Sequence, residues 1–151
     1  MNKGGPTPAP DGGAGGVTRV AARPRREVSG RGGSRCGCRL VPAEAASFPL
    51  EVDHVIAEKH GGATEFDNLA FACWRCNRHK GSDLTSFDPQ TRQLSPLFNP
   101  RTQVWTEHFA YERERIVGRT PEGSTTVNLL RLNSEDRLGE RLAGGGETAT
   151  E

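Results

Sequence analysis

Apolar and polar positions alternate in only a few short stretches of this chain, and those stretches define its elements. Around "FPLEVDHVIAE" the β-branched and apolar residues Val52, Val55 and Ile56 predict a short strand. "KHGGATEFDN" follows with the Gly and Asn chemistry of a loop. "LAFAC" predicts a second short strand, and "WRCNRHKGSDL" a helix loosened late by Gly81. The predicted order is strand, loop, strand, helix.

Beyond this unit, residues 87–104 hold three prolines and are expected to be mostly loop. "WTEHFAYERERIVG" carries Trp105, Phe109, Tyr111, Ile116 and Val117, a set suited to one or two strands. "TPEGSTTVNLLRLN" opens with Thr120 as N-cap and Pro121 as first helical residue, with Val127, Leu129, Leu130 and Leu132 as the expected buried side. At both ends the pattern disappears. Residues 1–30 are rich in Gly, Pro, Ala and Arg and predict a flexible arm. Residues 134–151 are charged and Gly rich and predict a flexible tail. The folded part is therefore expected at 31–133.

Composition sharpens this picture. Hydrophobic residues are 33% of 151 and aromatics 6%, so the core is small and gains from a covalent or metal staple. The net charge of +1 conceals an asymmetry: residues 1–40 hold eight Lys or Arg against Asp11 and Glu27. Such a basic arm suits a polyanionic partner. No run of eighteen apolar residues predicts a membrane span, and the N-terminus lacks the apolar centre of a signal peptide. A cytoplasmic location is expected, where close cysteines serve as metal ligands more often than as disulfides.

The four cysteines fall in two close pairs. Cys73-x-x-Cys76 has a knuckle spacing that lets two sulfurs grip one zinc, and Cys36 and Cys38 can supply the other two ligands of a tetrahedral site. The competing reading is four unlinked thiols. Asp53 and His54 are adjacent in a strand and so point to opposite faces. Asp53 offers oxygen to a hard divalent cation, and His54 can take a proton near neutral pH. On its own such a pair is no more than an exposed dipeptide of an edge strand.

The combination "C.C…EVDHV…HGG…DNLAFACWRCNRHKG" resembles the HNH endonucleases of the zinc-containing ββα-metal type, of the bacterial and phage kind. The core of the resemblance spans residues 35–86, and the continuation over 87–133 resembles one bacterial subfamily. The resemblance implies a small α+β domain of ββα-metal architecture with structural zinc. It implies His54 as the general base that activates water and Asp53 as the acidic metal ligand. It implies Asn68 as the residue orienting the loop or the base, and Asn77 as the residue completing the metal site. It assigns Cys36, Cys38, Cys73 and Cys76 to structural zinc. The catalytic cation is expected to be a separate ion, commonly magnesium, with manganese or nickel tolerated. The first cysteine pair departs from the family, as Cys-x-Cys in place of Cys-x-x-Cys.

Arg75, Arg78 and Lys80 form a basic helix segment, and beside such a site they are expected to meet phosphate. Glu51 shares the strand face of Asp53 and either assists the metal or is simply solvated. His60 is expected as a loop residue, with a phosphate contact second. His79 is expected on the helix surface, and His108 packed or hydrogen-bonded near Trp105. The expected activity is hydrolysis of DNA phosphodiesters, by a monomer or a homodimer. The competing function is a catalytically inactive zinc-finger-like nucleic-acid binder, which needs none of His54, Asp53, Asn68 and Asn77 at this spacing. A thiol-redox protein using Cys73-x-x-Cys76 lacks its expected βαβ context.

Overall fold

The computed structural model describes residues 35–38 and 49–143. The expected arm at 1–30, and the part of the tail beyond 143, lie outside these residues. The described chain is α+β, built from three two-stranded antiparallel sheets and short helices.

β1 (Glu51–His54) pairs with β2 (Leu69–Ala72), with Val52 opposite Phe71 and His54 opposite Leu69. α1 (Trp74–Lys80) follows at once, which completes the expected strand–strand–helix unit. β1 is shorter than its sequence pattern. The reason is Asn68: its Oδ1 accepts from the Ile56 amide at 2.9 Å, and its Nδ2 donates to Ile56 O at 2.9 Å and Ala63 O at 2.8 Å. A side chain thus takes the backbone groups that would have extended the ladder. Cys73 caps α1, its Sγ accepting from the Cys76 amide at 3.4 Å, and Gly81 closes the far end.

The Pro-containing segment after α1 is not plain loop. β3 (Thr85–Phe87) and β4 (Leu94–Pro96) form a hairpin. Asp88, buried at its turn, accepts from the Gln90 amide and the Thr91 hydroxyl, while Asp88 and Arg92–Gln93 exchange backbone bonds. Three-residue strands are too short to show alternation, so the sequence pattern hid them. α2 (Trp105–His108), a single helical turn, leads into β5 (Phe109–Glu112), which pairs with β6 (Arg115–Gly118).

α3 (Pro121–Leu129) begins as predicted, with Thr120 Oγ1 accepting from the Gly123 amide at 3.1 Å. Its buried face differs from expectation. Gly123, Ser124, Thr125 and Thr126 are buried, whereas Val127 and Leu129 are half-buried. The helix lies against β6 and α2 at backbone distance. A Cβ on Gly118 would sit 2.2 Å from the Ser124 amide nitrogen, and one on Gly123 would sit 2.0 Å from His108 O. Only small residues fit such a seam. Leu130 and Leu132 are buried as expected.

Residues expected to be flexible tail form α4 (Glu135–Ala143). Its large apolar residues are Leu138, half-buried, and Leu142, which is exposed, so hydrophobic periodicity gave no sign of it. Polar contacts hold it instead. Arg75 Nη1 meets Glu140 Oε1 at 3.1 Å, and Arg141 donates to Glu114 O, Asn133 Oδ1 and Leu132 O.

One hydrophobic cluster runs through both halves. Leu50, Val52, Leu69 and Phe71 of the first unit join Phe98, Trp105, Phe109, Ile116, Leu130 and Leu132 of the second. Phe109 stands edge-on to Phe98 and stacks on Trp105, at centroid distances of 5.0 and 5.2 Å. The buried cysteines Cys36, Cys73 and Cys76 close one side of this cluster.

Candidate active site and metal centre

The site is built on β1, on the loop to β2 and on α1. Alternation along β1 turns Val52 and His54 inward and leaves Glu51 and Asp53 half-buried on the other face. His54 is buried, and its Nε2 lies 2.8 Å from Thr64 Oγ1. Thr64 in turn donates to Glu58 Oε1 at 3.3 Å, which itself lies 3.6 Å from His54 Nε2. A hydroxyl has one proton. With that proton given to Glu58, Thr64 accepts from His54 Nε2–H, and Nδ1 is left with the lone pair that a base requires.

The loop carrying Glu58 and Thr64 is held at its base by Asn68. The Gly-Gly pair makes this possible. Gly61 adopts φ +86, and a Cβ on Gly62 would lie 1.7 Å from Ile56 O. His60, at the tip, has Nε2 3.0 Å from Ser82 O, which ties the loop to the end of α1.

On the opposite face of β1 both carboxylates have partners, one charged and one neutral. Lys80 Nζ lies 3.1 Å from Asp53 Oδ2 and donates to His54 O at 3.0 Å. Burial pushes the Asp53 carboxyl above its ordinary pKa, and the Lys80 charge opposes that shift. Asn77 Nδ2 donates to Glu51 Oε2 at 2.6 Å, so Asn77 reaches the residue two before Asp53 on the same face. Its Oδ1 remains an oxygen donor. Asp53, Glu51 and Asn77 Oδ1 are hard oxygens of the kind that suits a magnesium-like cation. An ammonium already sits on Asp53, which shows that this face accepts positive charge.

The sulfur atoms of Cys36, Cys73 and Cys76 lie within 4.8 Å of one another, all buried. Such a group can hold a zinc ion. Cys38, the fourth expected ligand, stands outside this cluster. Its backbone carbonyl accepts from Trp105 Nε1 at 2.9 Å, while the Gly37 amide donates to Phe71 O. Hydrogen bonds to Cys73 raise the pKa of the Cys36 thiol, and those to Cys36 and Cys73 raise that of Cys76 well above the ordinary range. Burial does the same at Cys38. Packed thiols of this kind ionise when a cation compensates them. Cys76 has one more neighbour that its sequence did not reveal: Arg137 Nη1, donating to its Sγ at 3.1 Å.

The expected phosphate-binding residues divide. Arg78 is exposed, with its guanidinium 5.2 Å from the Trp74 ring. Arg75 lies over the same ring but pairs with Glu140, and Lys80 is turned in to Asp53. His79 is half-buried on α1, and burial with the nearby Arg137 and Arg131 charges lowers its pKa. His108 stacks obliquely on Phe98 and bonds Thr120 Oγ1 at 2.6 Å. Thr64, Glu58 and Arg137 are the partners that sequence reasoning missed.

A strand pair, a clamped loop and a helix opening on a Cys-x-x-Cys knuckle are thus assembled around His54. The family model for the HNH endonuclease matches residues 34–83, the stretch that supplies all of these parts. The chain carries an HNH endonuclease domain. It is similar to the Septu protein PtuB of Bacillus thuringiensis, 30% identical over 105 residues, which cover 68% of this chain and 37% of that protein. The chain therefore spans little more than a third of the length of that relative. No solved structure matches it significantly. Within the HNH domain the matched residues end at Asp83, so α2, α3 and α4 and the two later hairpins lie outside the match. No helix among the described residues is long and apolar enough to cross a membrane.

Proposed function

We propose that this chain is a metal-dependent endonuclease that hydrolyses DNA phosphodiester bonds, with His54 as the general base. The observation that carries this reading is the route from Asn68 to His54. Asn68 fixes the loop, the loop presents Thr64 and Glu58, and these hold Nε2 so that Nδ1 is free to accept a proton from water. A nucleic-acid binder without chemistry has no use for that arrangement.

Asp53 and Asn77 are the proposed holders of a divalent cation, commonly magnesium, with Glu51 beside them. Such an ion, when bound, supplies positive charge for the phosphate and its leaving oxygen. Cys36, Cys73 and Cys76 are the proposed zinc ligands, with Cys38 the nearest further sulfur in sequence. Arg78, exposed beside Trp74, is the proposed first contact with the DNA backbone.

Supercoiled plasmid incubated with the protein and magnesium or manganese is expected to be nicked or linearised. His54→Ala is expected to lower the rate by about 10²-fold or more, the usual worth of a positioned base. Equal cleavage by the variant would remove His54 from the role of base. Tight plasmid binding without cleavage in any divalent metal would establish the binder reading instead.

A further inference from the structure

Arg137 is the most deeply buried charged residue among those described, at 0% exposure. A guanidinium is protonated at every accessible pH, so its burial needs a compensating charge. Among the described residues no carboxylate pairs with it. Nη1 donates to Cys76 Sγ at 3.1 Å, and Nη2 is buried with no hydrogen-bond partner. The only electron-rich group it is shown to touch is the cysteine cluster. Neutral thiols are weak acceptors and do little for a buried cation. Three thiolates around one divalent cation retain net negative charge, and that is what a buried guanidinium requires.

Arg137 stands on α4, outside the stretch that matches the HNH family. That helix has nine residues, too few to persist alone, and its apolar contribution is slight. Its attachment therefore depends on polar contacts: Arg137 on the cysteine cluster, Arg75 with Glu140 and Asp136, and Arg141 on Glu114 O, Asn133 Oδ1 and Leu132 O.

We propose that Arg137 is the charge partner of the metal-loaded cysteine cluster, so that metal binding strengthens the docking of α4 on the HNH domain. Arg137 is a positioning residue: it acts on the sulfur and not on the metal or the substrate. The inference rests on the reading of the cysteines as a metal site, and the test separates the two.

The full chain is loaded with cobalt(II), whose sulfur-to-metal charge-transfer band reports directly on the thiolates. Arg137→Met keeps the stem and removes the charge. Its band is expected to move to lower energy, and a chromophoric chelator is expected to strip its metal about tenfold faster. Arg137→Lys is expected to recover most of both. A band and a stripping rate unchanged in Arg137→Met overturn the inference while leaving the metal site intact. No band in the unaltered chain overturns the metal site itself, and the inference with it. Hydrogen exchange on the unaltered protein gives an arm free of folding defects. Metal removal is expected to expose the amides of residues 135–143 selectively, with α3 as internal reference. Loss of protection no greater than that of α3 overturns the docking.

Discussion

Two asparagines shape this protein by the same device. Asn68 gives its amide to both backbone groups of Ile56, and Asn133 does the same for Ile116, at 2.8 and 2.7 Å. An amide side chain matches a peptide group in donors and acceptors, so each behaves as one residue of an added strand. At Asn68 this fixes the approach of Thr64 to His54. Asn68→Ala is expected to cost about 0.5–1.5 kcal/mol, the net worth of a hydrogen bond, because its partners on Ile56 and Ala63 are exposed and regain water. Its cleavage rate is expected to fall with plasmid affinity little changed. An Asn68→Ala protein that melts and cleaves like the unaltered chain would show that the clamp is dispensable. Sequence marked Asn68 through family spacing alone. Thr64 left no trace because a loop threonine is ordinary, and Glu58 because its four-residue offset from His54 carries meaning only on a helix.

At the scale of elements, the strands and helices that were legible are those with either periodicity or a cap. β1, β2 and α1 appear where apolar runs and the Cys knuckle place them, and α3 starts at its Thr-Pro signal. The β3–β4 hairpin was illegible because an Asp88-centred turn, not alternation, specifies it. α4 was illegible because its anchor is an arginine, a residue that patterning assigns to solvent. The face of α3 was misassigned for a third reason: backbone contact, not side-chain volume, decides what is buried there. Gly118→Ala puts this to the test. Its Cβ would meet the Ser124 backbone, which cannot yield without moving the helix. The expected loss is about 3 kcal/mol, the upper part of the overpacking range, read as a lowered denaturant midpoint. Thr120→Ala, which removes the cap and the partner of His108 Nδ1, is expected to cost about 1–2 kcal/mol in the same measurement.

At the scale of the molecule, one hydrophobic cluster joins the two halves of the described residues, and Cys36, Cys73 and Cys76 form part of its wall. Metal binding and folding are therefore linked across the chain and not confined to the first unit. Chelation is expected to lower the melting temperature of the entire protein in a single transition, including the β5–β6 and α3 region. Cys76→Ser is expected to reproduce the effect without chelator. Two separate transitions, with the later half unmoved, would show that the halves stand independently.

The pairing of Lys80 with Asp53 bears on how the proposed reaction starts. The site holds a counter-ion on a tether, so a divalent cation bound at Asp53 would have to displace it and could not simply add to a vacant carboxylate. Exchange has a threshold: the incoming ion competes with an ammonium whose local concentration never falls, because it cannot diffuse away. Lys80→Met is expected to lower the magnesium concentration for half-maximal cleavage, and an unchanged or higher value would mean that the tether is no competitor. By the same logic, a phosphate approaching the resting protein would meet an Asp53 already neutralised by Lys80, with no need for a metal to arrive first.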